Sequence, residues 1–482
     1  MLVRNVLLLF VPIALFAQVQ VETIIRLPRG SDRMLSNAAY LPELNKLYAA
    51  SEPDRYYVID CSTYRVVDSI SDEVYGEMGH AWNWRRLKLY ALGRNMSDSI
   101  LAIDAAADTV IRWLHFCSRM PSMVYLSDVD RLYKAAVETL YAFDGATDSV
   151  VRRATLGGVS TNACWDSAGR KLYVEQGGDK QLYVYDYVAD SVLKVIDVSR
   201  VSGVQPDALL FNNSFHKAYV APFQGEPGPS NVGIIDTERD TLVGTLPVRI
   251  WGGLYGQAAV DERDDKVYFA DENGSADSDT MWVVDCATDS VRKKVDYSPD
   301  GGTWIVRWVP WSNRVYQVTT ASLPYWNSCI KVLDCNTDSF IVKQMLVNHA
   351  AIRDIQLDPI RQRIFVVGVD TNDIYVLRDT GYGIAEAKQT EPRVSSGLQV
   401  RTMPGWFDVL YFLASPSHVD LSVYDLTGRE VRRLVGEDQT TGQHSAVWNC
   451  TNRNGAAIAH GVYFIRLDAP GRADVTKVVM TR

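Results

Sequence analysis

Two nearly identical stretches, VVDCATDSV at residues 283–291 and VLDCNTDSF at residues 332–340, each set two carboxylates around a cysteine. Acids flanking a thiol are ingredients of a metal site or of acid–base chemistry. The pattern D-x-x-x-D-[ST]-V recurs along the chain. Its first acid is Asp60, Asp104, Asp144, Asp186, Asp236, Asp285 and Asp334, with a degenerate eighth copy at Arg378 in IYVLRDT. In each copy the first Asp closes an apolar run and another such run follows, so the motif reads as a hairpin turn. The first Asp is suited to accept backbone N–H bonds within the turn. The fifth position, held by Asp108, Asp148, Asp190, Asp240, Asp289 and Asp338, is suited to left-handed backbone. Equivalent turns in packed sheets stand at least about 10 Å apart and cannot share one ion. The same distance keeps Cys61, Cys286 and Cys335 from bridging, and small buried thiols are expected.

A second group of candidates breaks the repeat. APFQGEPGPSN, ADENGSADSDT and TTASLPYWNS are expanded segments in the fifth to seventh units, and RIWGGLYGQ and YSPDGGTW connect neighbouring units. Trp251, Tyr255, Trp304, Tyr325 and Trp326, with Asp271, Asn273 and Asp277, are the candidate ligand-binding residues there. Aromatic faces beside carboxylates suit a sugar ring or a peptide; packing of loops onto the fold is the competing role. The acidic run at 270–280 also invites calcium, but its spacing departs from the EF-hand loop and a solvated loop is expected, with no cofactor. SPDGGTW misses the sialidase-type Asp-box register by one residue and reads as a turn. His80, His349 and Arg353 fall near unit connections and are candidates to face a central channel, with a structural role as the alternative for solitary histidines. The chain shows no paired-histidine metal motif, nucleophile elbow, phosphate loop or dinucleotide fingerprint, so nothing positive points to catalysis.

The elements that would position these residues follow from the repeat. A basic residue, a variable one and an aromatic precede each hairpin, ending at Tyr48, Tyr90, Tyr133, Tyr173, Tyr219, Tyr268, Tyr316 and Phe365. Each unit of about 40–50 residues holds four short runs rich in Val, Ile, Leu and Tyr, the period and strand count of a β-propeller blade. The eighth unit has three such runs, and VETIIRLP at residues 21–28 supplies the fourth. An all-β ring of eight blades closed by strand exchange is expected, with seven as the alternative. Segments such as RLYKAAVETLYAFDGATDSVVRRATL resemble the YVTN-type propeller repeats of bacterial and archaeal surface proteins, over residues 21–380.

Residues 381–397 read as a linker, and residues 398–482 hold alternating strands punctuated by glycine, suiting a small Ig-like sandwich. VYDLTGREVRRL, GQHSAVWN, NG, GVYFIRL and TKVVMTR resemble the FlgD-type Ig-like modules and the type IX secretion sorting domains, with Cys450 where glycine is common. That resemblance implies export across an outer membrane and surface retention or release; a plain spacer is the alternative. The start of the chain agrees with export. Arg4, an apolar run to Phe16 and Ala17 read as a signal peptide over residues 1–17, and no other run is long enough to span a membrane.

A net charge of −9 without a basic stretch argues against nucleic acid as a partner, and seven cysteines in 482 residues leave an odd thiol and no dense disulfide frame. The expected function is a secreted or cell-surface binding or scaffold module, with periplasmic residence as the alternative. Its partners would be an extracellular protein or carbohydrate, and the export machinery through the C-terminal domain. The alternative is an extracellular glycan-active hydrolase or lyase.

Overall fold

The computed structural model describes residues 19–28, 35–51, 55–71, 79–92, 99–115, 123–136, 138–157, 160–166, 169–176, 180–201, 206–222, 230–250, 258–270, 280–297, 303–320, 328–346, 352–368, 372–379, 398–403, 406–413, 416–425, 429–440, 442–454, 456–458, 461–470 and 472–480. The proposed signal peptide and linker lie outside them.

Eight antiparallel four-stranded sheets make up the first unit, each a meander in chain order. Blade 1 runs Leu35–Leu41, Lys46–Ser51, Arg55–Asp60 and Arg65–Ser71, and blade 7 runs Thr303–Val309, Arg314–Thr320, Ser328–Asp334 and Ser339–Leu346. Blade 8 takes Ile352–Asp358, Arg363–Gly368 and Asp373–Asp379 from the far end of the ring, and Val19–Arg26 completes it as the outer strand. Val19 pairs with Asp379 and Arg26 with Asp373. The expected strand exchange is therefore present, the closing strand starts two residues earlier than the apolar run suggests, and the ring has eight blades, not seven.

Among the described residues the first strands of adjacent blades touch at seven of the eight junctions, which makes them the channel-side strands. Both faces of every blade are covered by a neighbour. In Lys46–Ser51, Leu47 and Ala49 enter the cluster shared with blade 8, whereas Tyr48 and Ala50 enter the one shared with blade 2. Two buried faces explain why these strands read as unbroken apolar runs. One apolar cluster fills each of the eight gaps between blades.

The outermost strand of every blade carries a bulge at one register. Its extra residue is Val67, Ile111, Val151, Leu193, Val243, Arg292 and Ile341 in blades 1 to 7, and Glu22 in blade 8. A bulge twists an open edge away from flat pairing with another chain.

The second unit, Glu386–Arg482, holds a three-stranded sheet of Gln399–Met403, Trp406–Leu413 and Gly442–Trp448, and a four-stranded one ordered Glu430–Gln439, Ser417–Asp425, Gly461–Ala469 and Arg472–Met480. Its core centres on Trp448, which stacks on Phe407 with centroids 5.4 Å apart and donates its indole N–H to Thr451 O at 3.0 Å. Cys450 follows with φ of 54°, the left-handed geometry that explains why glycine suits this position. Among the described residues no helix is long and apolar enough to cross a membrane.

Candidate functional site

The hairpin carboxylates are bound up in the structure of the ring. The first Asp of each motif caps its own turn: Asp144 Oδ1 accepts Thr147 N at 2.8 Å, and Asp60 Oδ1 accepts Ser62 N at 2.7 Å. Those backbone donors hold the carboxyls of Asp60, Asp144 and Asp285 below their ordinary range. The fifth position is left-handed in all seven regular copies, with φ between 48° and 56° from Tyr64 to Asp338.

That fifth Asp has a second role, which sequence reasoning missed. It receives the basic residue of the preceding blade's K-x-Y triplet. Lys46 Nζ lies 2.7 Å from Asp108, Lys88 2.8 Å from Asp148, Lys171 2.8 Å from Asp240, Lys217 2.7 Å from Asp289 and Lys266 2.9 Å from Asp338. Arg131 reaches Asp190 at 3.4 Å. The hydroxyls of Tyr48, Tyr90, Tyr173 and Tyr268 donate to the same acids, Tyr90 to Asp148 at 2.7 Å and Tyr173 to Asp240 at 2.6 Å, whereas Tyr133 donates to Tyr187 O. In blade 7 Arg314 and Tyr316 both reach Asp379, the last residue of its strand, which takes the place of a hairpin acid. The exception is the seam: Arg363 of blade 8 donates to Tyr64 OH at 3.1 Å and to Glu22 of the closing strand at 2.9 Å.

The cysteines occupy the same gaps. Cys61, Cys286 and Cys335 are buried free thiols, as expected, and burial pushes the Cys286 thiol up to about 11. A buried thiol kept protonated is a poor nucleophile. Among the described residues no group of three or more metal-ligating side chains comes together.

Both hairpins of each blade lie at one end of its strands, and the 2–3 loops and blade connections leave from the other end. The strands bracketing residues 251–257, 271–279 and 321–327 end on that second face. Trp251, Tyr255, Asp271, Asn273, Asp277, Tyr325 and Trp326 lie outside the described residues, as do His349 and the calcium candidate. Trp304 is described. It is the second residue of the channel-side strand of blade 7 and packs, half-buried, against the cluster shared with blade 8. Arg353 is the second residue of the neighbouring strand of blade 8, is exposed, and places its guanidinium carbon 5.1 Å from the Trp304 ring centroid. This is a cation–π contact.

Around that pair the polar groups belong to the seam. Asp354 is buried, and its carboxylate accepts Ala38 N at 3.1 Å, Ile355 N at 2.8 Å and Gln356 Nε2 at 2.9 Å. Burial pushes its pKa up, against the pull of the Arg307 charge and these donors. His80, at the same end of blade 2, contacts Tyr56 OH at 2.6 Å, and burial of its ring pushes its pKa down to about 4. It is a neutral, packed imidazole at physiological pH.

Eight latched blades with loops at one mouth, followed by a small sandwich, define a β-propeller with a C-terminal Ig-like domain. Residues 406–472 match the FlgD Ig-like domain family. Among solved structures, the dihydro-heme d1 dehydrogenase NirN in complex with DHE is similar over 87% of this chain and 77% of its own, at 12% identity and a TM-score of 0.52. The hydrazine synthase of Kuenenia stuttgartiensis is similar over 51% of this chain and 72% of its own, at 14% identity and a TM-score of 0.42. At such identities the first likeness speaks for the fold alone. No curated protein sequence matches the chain.

Proposed function

We propose that this protein is an exported, cell-surface or secreted propeller of the YVTN-repeat type that serves as a binding or scaffold module. Its FlgD-like C-terminal domain would serve secretion and attachment in the manner of type IX sorting domains. The observation that carries the binding role is the division of labour between the two faces. The repeated charges are bonded between blades on the hairpin face, whereas Trp304 and Arg353 meet at the mouth of the channel with the guanidinium exposed. Ligands of propellers are generally gripped by loops that vary over a regular scaffold. An extracellular protein or carbohydrate fits such a mouth.

Export draws support from the chain's start. The closing strand begins at Val19, so cleavage after Ala17 would leave blade 8 complete. Deleting residues 398–482 should abolish surface retention while the propeller still folds; unchanged retention would remove the sorting role. A glycan array with a hydrolysis screen, repeated with Trp251→Ala and Trp326→Ala, tests the mouth. Binding without turnover supports the module, and turnover would favour a glycan-active enzyme.

A further inference from the structure

The channel-side strands of five blades carry an extra residue next to the loop-bearing end, where pairing with the second strand skips one position. These residues are Ser36, Thr161, Asp207, Trp304 and Arg353. In the other three blades, whose first strands are described from His80, Met123 and Ala258, that register lies outside the described residues. Bulges bend a strand and re-aim a side chain, and they concentrate beside functional sites. Here they recur at one height around the channel. The residue types filling them differ from blade to blade, unlike the hairpin register, where Asp is repeated to hold the ring.

Trp304 and Arg353 fill adjacent bulges. Stacking on the indole holds the guanidinium in place without using its N–H donors, which lie in the guanidinium plane and match a planar oxyanion in bidentate fashion. Among the described residues Arg353 has no acceptor and no ion pair; its one contact of this kind is the Trp304 ring. The adjacent carboxylate does not turn back toward it, because Asp354 reaches into the seam to Ala38 N. Arg307 adds a second, half-buried cation on the strand of Trp304. Two cations, Arg353 and Arg307, thus stand near one buried carboxylate, Asp354, and a cation at a channel mouth attracts an anionic ligand.

We infer that the Trp304–Arg353 pair reads the ligand at the channel mouth, and that this ligand is an anionic polysaccharide. A carboxylate or sulfate group would sit on the Arg353 fork, with the sugar ring against the exposed part of the Trp304 indole. The inference rests on the binding-module reading and adds the charge of the ligand and the residue that senses it.

The test uses the full-length mature chain and titrates polygalacturonate, dextran sulfate, neutral dextran and poly-glutamate by calorimetry at two salt concentrations. Polygalacturonate or dextran sulfate should bind at least about tenfold more tightly than neutral dextran and weaken with salt. Comparing those two separates carboxylate from sulfate as the group recognised. Arg353→Ala should cost about tenfold, and Arg353→Lys most of that loss, because a lysine keeps the charge but not the fork. Trp304→Phe should retain part of the affinity, with both variants melting as the parent does. Equal binding of neutral dextran, no effect of Arg353→Ala, or equally tight binding of poly-glutamate would overturn the inference. If neutral glycans bind and Trp251→Ala or Trp326→Ala abolishes it while Arg353→Ala does not, the module survives and the anionic ligand fails. If none of the four polymers binds, the saccharide-binding reading and the inference fall together.

Discussion

Seven of the blade junctions and the eighth hold the same ring with different chemistry. Between blades 1 and 7 a lysine or arginine, joined at four junctions by a tyrosine, grips the left-handed Asp of the next hairpin, and at the seventh junction Arg314 and Tyr316 grip Asp379. At the seam Arg363 instead bonds Tyr64 and Glu22, and strand pairing by Val19–Arg26 joins the two ends of the propeller. The regular latches ride on hairpins that the chain forms locally. The seam needs a segment more than three hundred residues away, so side-chain chemistry there is secondary to the strand itself.

Removing residues 19–26 should therefore have the largest effect. It leaves Asp373–Asp379 as an open edge and strips Val19 and Ile25 from their clusters, so the propeller should lose its cooperative melt and become protease-sensitive. A melt indistinguishable from the parent would show that seven blades and three strands suffice. Next comes Asp379→Ala. It strands Arg314, whose side chain is 3% exposed, and breaking a buried pair from one side costs about 3–5 kcal/mol. Asp108→Ala, where Lys46 retains more solvent, should cost about 1–3 kcal/mol by chemical denaturation. Equal losses at the two sites would erase the distinction between a chain-end latch and a hairpin latch.

Acidification separates the hairpins from the seam. Asp60, Asp144 and Asp285 have folded pKa values below their unfolded ones, so their contribution is present above the ordinary Asp range and is lost as pH falls through it. Asp354 is shifted the other way, so it favours the folded state more as it takes up its proton. Asp144→Asn should flatten the acid side of a melting-temperature profile, and Asp354→Asn should steepen it; the reverse order would refute these assignments. The smallest effect is expected for Glu22→Gln, about 0–1 kcal/mol, because its pair with Arg363 is partly solvated.

Much of this ring was legible in the sequence, and the reason is repetition. Seven copies of the hairpin and a degenerate eighth set the register, the missing strand of the last unit pointed to the chain start, and the preference of Asp for left-handed turns predicted its φ. The partner of that Asp was not legible. Lys46 and Asp108 are 62 residues apart, and nothing in either motif says that one blade's strand meets the next blade's turn. The triplet served as a ruler while its role as a latch stayed hidden. The channel-side bulges escaped for another reason: one extra residue barely disturbs an apolar run that is buried on both faces. Of the candidate ligand residues only Trp304 falls in a described strand, and its partner Arg353 was marked as a channel residue without a link to it.

The closing strand also sets a timetable. Val19 meets Asp379, so the strand Val19–Arg26 has no sheet to join when it leaves the ribosome until nearly all the propeller has followed. Bringing such distant ends together carries the loop-closure entropy of the whole ring, and contacts of this span slow folding. Until then blade 8 has no outer strand and Val19–Arg26 has no partner, which makes the interval before closure the point at which a chaperone or a second copy could intercept the chain.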